Sequence, residues 1–473
     1  MLMVRTPLIA RPALALAMAL AAVTGAVVVT APARAADKPP KPPEAPKLKF
    51  SKPFQAVAAP VGKALDDAAK RPDVLAGRQA VQNARNAMAA ASGATAKAQT
   101  KAAHDAAMAA LANLLSPEKA KVEAVFAAAT TPDERYYAGQ LGDFLGRLSL
   151  DSAMQRKGVL AMLESGKVAP DAIGKMHYTL GTLANDARDF ATARTEYATA
   201  IAAGYREDDV QAMLANAYLV DGQVPQGLEL LRKAITDQQA AGRPVPANWY
   251  RVGLGAAYKA KLQDDAVWFS SGLVENFPNP ENWSGAIFIM RSITSFGPQE
   301  TLDAMRLVHR TNSFMEERDY VDYIEAADGR RSPGEVLKII KLGVAAGKLK
   351  LDDVFVGEQK KAADGRLAAD QASLPTFDRD ARSASATATT VMAAADAFLG
   401  YDQPAKAAEL YQIALGKPGV DTGRALTRLG IAQVDLNQLA EAQATFGKVT
   451  GPRKQLAQMW SLYARIKGKP STP

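Results

Sequence analysis

A period of 34 residues constrains this chain more than any other feature. Leu180-Gly181 aligns with Leu214-Ala215, and the same offset carries Tyr197 onto Leu231 and Ala200 onto Ala234. A recurrence at that length marks a supersecondary unit that is repeated and stacked. Small residues recur within each unit, Gly181 and Ala193 in the first and Ala215 and Gly227 in the second. They let two antiparallel helices approach to about 8–10 Å. Tyr197, Tyr218 and Leu231 supply the bulk that fills the space between pairs. One such unit cannot bury its apolar face alone, so neighbours must share a core. Composition agrees. The chain is 48% hydrophobic but only 7% aromatic, and much of the apolar share is alanine. Closely packed helices suit it better than a sheet, which draws on Val, Ile and Thr.

With these positions in place, the chain resembles the tetratricopeptide repeat (TPR) family. The unit Gly174–Glu207 supplies Leu180, Gly181, Ala193, Tyr197 and Ala200 of that family's pattern, with Ala184 where a Tyr is usual. Asp208–Ala241 supplies Leu214, Ala215, Tyr218, Leu231 and Ala234 and lacks the terminal Pro. Pro244–Pro278 is a third unit with one extra residue, in which Trp249, Val252 and Gly253 match the first helix. Asn282–Phe296 with Pro298–Thr311, and Asp319–Ala327 with Pro333–Ala346, read as divergent pairs. The pattern returns at Phe398, Ala407, Tyr411 and Ala414, and 35 residues later Ala442 and Phe446 follow, with Leu429-Gly430 between. The fold this implies is all-α, a TPR-like solenoid of stacked antiparallel helix pairs.

Six segments follow from the punctuation of the chain. Residues 1–35 have the pattern of a signal peptide: Arg5 and Arg11, an uncharged apolar run over Ala13–Val29, and small residues at Ala33 and Ala35. The expected cut precedes Ala36, which implies export to the periplasm or the exterior and no membrane span afterwards. Residues 36–53 are a Pro/Lys-rich linker, expected to be an extended spacer. Residues 54–167 form an N-terminal helical region with degenerate repeats. Helix starts are expected at Ser116-Pro117-Glu118 and Thr131-Pro132-Asp133-Glu134. Phe144 and Ala153 take the aromatic and small positions of a degenerate pair. Residues 168–347 form the central solenoid, and 348–387 break the period as one longer helix and a loop, either a hinge or a packed element. Residues 388–473 carry the C-terminal repeats, with Pro452–Lys467 as a capping helix.

Composition also removes whole classes of chemistry. There is no cysteine, hence no disulfide, thiolate metal site or thiol nucleophile. The net charge of +8 falls to about +5 when Arg5, Arg11 and Arg34 leave with the signal. Much of the remainder sits in Asp37–Lys52. No basic stripe with interleaved aromatics points to nucleic acid. The three histidines, His104, His177 and His309, fall in no metal-binding spacing. No G-x-S-x-G elbow is present. Gly343…Gly347-Lys348 and Gly253-Leu254-Gly255 each miss a required residue of a phosphate-binding loop. Asp264-Asp265 and Asp352-Asp353 stand where helix starts favour acidic groups. Neither a cofactor nor an enzymatic activity is expected.

The resemblance implies a function instead. In TPR proteins the first helix of each pair lines a concave groove that takes a protein or peptide segment. The corresponding positions here are Lys175, Tyr178, Thr182, Asn216, Leu219, Tyr250 and Arg251. Some members hold a peptide carboxylate with Lys, Asn and Arg from successive repeats. Asn216 falls at one such position and Arg251 near another, whereas Tyr178 and Thr182 replace the Lys and Asn. An alternative is envelope glycan or polymer handling, with Trp249, Tyr250 and Trp283 stacking on sugars.

Overall fold

The computed structural model describes residues 48–207 and 209–469, so the expected signal peptide and most of the linker lie outside the described residues. These residues hold 22 α-helices and no strand. They fall into two compact units, one ending at Val210 and the other beginning at Gln211.

The first unit opens with α1 (Lys52–Lys70), α2 (Pro72–Ala90), α3 (Ala94–Leu114) and α4 (Ser116–Ala128). Helix α1 packs on α4 and on α5 (Pro132–Ser149), while α2 and α3 form a hairpin. Phe54, Leu65, Val122 and Leu145 share one core. Leu48–Ser51, the end of the expected spacer, is tied down: the Lys49 and Ser51 amides donate to Asp133 and Glu134 at the start of α5. That start is a full capping box on Thr131 and Glu134, as the sequence signals. The start of α4 differs. Leu115 is its N-cap, and the Ser116 hydroxyl donates back to Asn113.

Helix α5 and α6 (Ser152–Glu164) meet along glycines. A Cβ on Gly146 would lie 2.3 Å from the Gln155 amide nitrogen, and one on Gly158 would lie 2.2 Å from that of Asp143. Gly139 and Gly142 line the same seam. Phe144 is only half-buried beside it, so the small-residue role expected of the Phe144–Ala153 arrangement belongs to these glycines. Next come α7 (Pro170–Asp186) and α8 (Phe190–Ala202), where the Tyr197 ring lies on Gly181. That contact recurs in the second unit as Phe269 on Gly253 and Phe446 on Gly430, the ring sixteen residues after the glycine each time. The TPR-like period is thus a physical contact, a ring laid flat on a position that has no side chain.

The second unit continues from α9 (Val210–Val220) through α10 (Val224–Ala240), α11 (Ala247–Lys259), α12 (Gln263–Asn276), α13 (Pro280–Ile293) and α14 (Pro298–Arg310). Then follow α15 (Glu317–Ala327), α16 (Pro333–Ala345) and α17 (Val354–Ala381). Asp353 caps α17, a continuous 28-residue helix lying between α16 and α18 (Ala388–Gly400). Over 354–381 the segment is helical and packed against both neighbours. Pairing resumes with α18 on α19 (Pro404–Leu415) and α20 (Thr422–Asp435) on α21 (Leu439–Phe446). Phe398, Ala407, Tyr411, Ala414, Ala442 and Phe446 are all buried there.

A short 3₁₀ turn, Gly451–Arg453, leads into α22 (Lys454–Lys467). Helix α22 packs on α20 and α21. It also returns to α12, α13 and α14. The Trp460 indole donates to the Asp303 carbonyl at 3.0 Å, the Tyr463 hydroxyl to that of Arg310 at 3.1 Å, and the Thr294 hydroxyl to Gln455 at 2.7 Å. Within this unit the run of helices closes on itself.

Candidate functional site

The seven inner-helix positions separate by burial. Lys175 on α7 and Arg251 on α11 are exposed, and Asn216 on α9 is half-buried. Thr182 is buried, and Tyr178 packs its ring against Tyr197 and Tyr205. Leu219 lies against Gly227 within the apolar cluster of the central pairs. Tyr250, expected at the groove, is only 1% exposed. Its ring lies on Gly272, and its hydroxyl accepts from Gln239 at 3.0 Å and Asn276 at 3.2 Å. Burial, reinforced by Glu275, raises its pKa. Trp249 and Trp283 are buried as well, so none of the three aromatics offers a face to a sugar.

What the exposed side of these helices does present was not read from the sequence. On α11, Arg251, Gly255 and Tyr258 are exposed at a spacing that places them on one face. On α13, Gly285, Phe288 and Ser292 do the same. Phe288 is 59% exposed and Tyr258 44%. A Cβ on Gly255 or Gly285 would meet nothing within 4 Å, so each ring stands beside open surface. The opposite faces, Trp249, Gly253 and Ala257 on α11 and Trp283, Ile287 and Met290 on α13, are buried.

A second feature lies among α14 to α22. Asp303, wholly buried, accepts from three guanidiniums: Arg306 at 2.9 Å, Arg428 at 3.0 Å and Arg453 at 2.7 Å. Arg306 also grips both oxygens of Glu335 at 2.8 Å, and the Tyr323 hydroxyl donates to Glu335 at 2.7 Å. Arg428 continues to Asp396 at 2.8 Å and Gln299 at 2.9 Å. Tyr411 and Arg424 also donate to Asp396. Burial works to raise the Asp303 carboxyl, yet Arg428, Arg306 and Arg453 together hold it down at about 2. Burial likewise opposes ionisation of Glu335, which Arg306 holds at about 2. Both stay charged, as buried acids do only when paired.

Against this network lies a cavity of about 750 Å³. Its walls include Arg306, Glu335, Asp396, Arg424 and Arg428 from the network, Asp370, Phe377 and Asp380 from α17, and the ring of Tyr401. Tyr401 lies across Gly334 and donates to Asp370 at 2.7 Å. Its pKa is raised by burial and then by that carboxylate.

The histidines have structural surroundings. His177 contacts Glu196 at 2.7 Å, His104 contacts Asp105, and His309 sits beside Arg310 and the rings of Phe314 and Tyr323. Asp264 and Asp265 stand in the first turn of α12. Among the described residues no three His, Asp or Glu side chains are grouped to hold a metal ion, and no helix is long and apolar enough to cross a membrane.

No protein-family profile matches the chain, and no curated protein matches it. Among solved structures, the TPR2AB-domain:pHSP90 complex of yeast Sti1 is similar over 63% of this chain and 96% of that one, at 14% identity and a TM-score of 0.21. A structure of Naa15/Naa10 bound to HypK-THB is similar over 86% of this chain and 70% of that one, at 16% identity and a TM-score of 0.23. At such TM-scores the superpositions carry no argument. The TPR-like solenoid rests on the helix pairs themselves and on the repeated ring-on-glycine contact.

Proposed function

We propose that this chain is an exported, non-enzymatic scaffold that binds a protein or peptide segment along the exposed side of its first-of-pair helices. The observation that carries the reading is the exposure of Phe288 on α13 and Tyr258 on α11, two large rings left in solvent, the second on the same helix face as exposed Arg251. Burying two such rings is the kind of contact that dominates an interface, and Arg251 and Asn216 add directional hydrogen bonding to a backbone or carboxylate. The burial of Trp249, Tyr250 and Trp283 removes the support for sugar stacking.

Photo-crosslinking in intact cells tests this directly. Probes at Asn216 and Phe288 are expected to give a discrete protein adduct, whereas a probe at exposed Glu229 on α10 gives none. Equal labelling at all three sites, or polysaccharide adducts, would overturn the reading. Export is checked on the same cells. The mature N-terminus is expected at Ala36, in the periplasmic or extracellular fraction. A full-length chain in the cytoplasm would remove export from the proposal.

A further inference from the structure

The cavity among α14 to α20 is kept open by its own lining. Its lining on α18 includes the small residues Ala393, Ala394, Ala397 and Gly400, and on α15 Ala326 and Ala327. A core built only to seat ion pairs would fill such a space, because close packing is the default of protein interiors. Its volume, about 750 Å³, falls in the range of small-molecule sites. Exposed Asp380, Thr390 and Arg331 at its edge leave it open to solvent.

Its polar groups are of two signs, and the network does not use all of them. The charged side chains of the lining are Arg306, Arg331, Arg424 and Arg428 against Glu335, Asp370, Asp380 and Asp396. Arg306, Arg428, Glu335 and Asp396 saturate one another and Asp303. Arg424 does not follow suit. It donates to Asp396, yet its side chain stays 27% exposed and lines the cavity, so the guanidinium has capacity left for an acceptor there. Elsewhere in the lining, Asp370 spends one oxygen on Tyr401, leaving the other. Asp380 pairs only with its exposed neighbour Arg379. Phe377 shares a face of α17 with Asp370, seven residues before it, and Asp380 lies nearly one turn further along, about 60° round from Phe377. A purely anionic ligand would gain at Arg424 and lose at Asp370, Asp380 and Asp396. A purely cationic one would do the reverse. A molecule carrying both charges gains at both walls.

We propose that this cavity binds a small zwitterion of amino-acid or short-peptide chemistry, its carboxylate on Arg424 and its ammonium toward Asp370 and Asp380. The body of the ligand rests on the alanine wall and the Phe377 ring. This site is separate from the exposed faces of α11 and α13, and nothing in it depends on a partner binding there.

The test uses the purified full chain, with the twenty common amino acids and a set of alanyl dipeptides as probes, read by native mass spectrometry and titration calorimetry. At least one probe is expected to give a one-to-one adduct. Its N-acetylated and C-amidated derivatives should each bind about tenfold to a hundredfold more weakly, the loss typical of one charged hydrogen bond. Arg424→Gln should weaken the free acid and leave the amide unchanged. Asp380→Asn should weaken the free amine and leave the acetylated form unchanged. Because Arg424 also holds Asp396, Ala393→Leu serves as the variant that removes no polar contact: it fills the opening and should abolish binding with the thermal midpoint preserved. No adduct at millimolar probe, adducts that survive Ala393→Leu, or equal binding of the blocked and free forms would each overturn the proposal.

Discussion

The α5–α6 seam in the first unit and the Asp303 hub in the second solve the same problem by opposite means. At the seam, Gly139, Gly142, Gly146 and Gly158 remove side chains until backbone meets backbone. At the hub, helices are held by charges wholly withdrawn from water. The seam joins helices adjacent in sequence. The hub joins Asp303 to Arg428 and Arg453, 125 and 150 residues away. The seam tolerates charge anywhere off its face but no added volume. The hub tolerates no lost charge, because removing one partner strands the others without compensation. One relative placement of α14, α16, α20 and the Gly451–Arg453 turn satisfies three guanidiniums at one carboxylate, so the hub acts as a register pin as much as a source of stability.

Breaking the hub should have the largest effect. Asp303→Asn leaves Arg306, Arg428 and Arg453 short of an anion and is expected to cost about 3–5 kcal/mol. All four tryptophans, Trp249, Trp268, Trp283 and Trp460, lie in the second unit, so tryptophan fluorescence during urea unfolding reads it directly. Acid should attack the hub too, and in two stages. His309 is held at about 4, by burial first and then by Arg310 and Lys338. The unfolded chain, with a histidine near pH 6.5, therefore binds the proton first, and stability present above about pH 6.5 is lost as pH falls toward 4. Asp303 and Glu335, held at about 2, lie below their unfolded values. Their contribution is full above the ordinary carboxylate range and disappears as pH falls from about 4 through 2. The fluorescence-detected midpoint of wild type against pH should show both losses, and that of His309→Gln only the second.

Gly158→Ala is the matching strike at the seam. Its methyl would sit 2.2 Å from the Asp143 amide nitrogen, which implies overpacking of about 1–3 kcal/mol. Circular dichroism should register the loss while the tryptophan-detected midpoint stays put. A shift in both would show that the two regions do not fail separately. Tyr401→Phe is the smallest test. It removes the hydroxyl from Asp370 beside the cavity and should lower the midpoint by about 1 kcal/mol.

The difference between these regions also explains what could be read in advance. The ring-on-glycine contacts were legible at Gly181 and Gly430 because each joins residues a fixed distance apart in one repeat. The Thr131 capping box was legible for the same reason. The hub was not. Glu335, at the third position after Ser332, reads as a capping glutamate, yet its carboxylate goes to Arg306 instead. Arg428 is one charge in a repeat helix, and the acids that hold it come from α14 and α18. One signal was present: Arg424 and Arg428 are like charges four apart, an arrangement that is unfavourable unless acids arrive from elsewhere. Tyr250 was placed at the groove because one inserted residue blurs the register of its unit. Gly272, which makes room for that ring, was the available clue. Phe288 and Tyr258 lie outside the repeat pattern altogether, and a period says nothing of the residues it skips.

The return of α22 to Asp303 has a consequence for how the chain is made. Asp303 leaves the ribosome well before Arg453 and Trp460. At ordinary elongation rates that gap is roughly 8–30 s. For most of that interval the acid has only Arg306 beside it, until Arg428 follows 125 residues behind, and α12 to α14 lack the helix that covers them. The second unit is therefore a late folder by construction: its contacts at Asp303 wait for the Gly451–Arg453 turn and α22, and a nascent chain stalled before residue 453 exposes apolar surface that the folded unit hides.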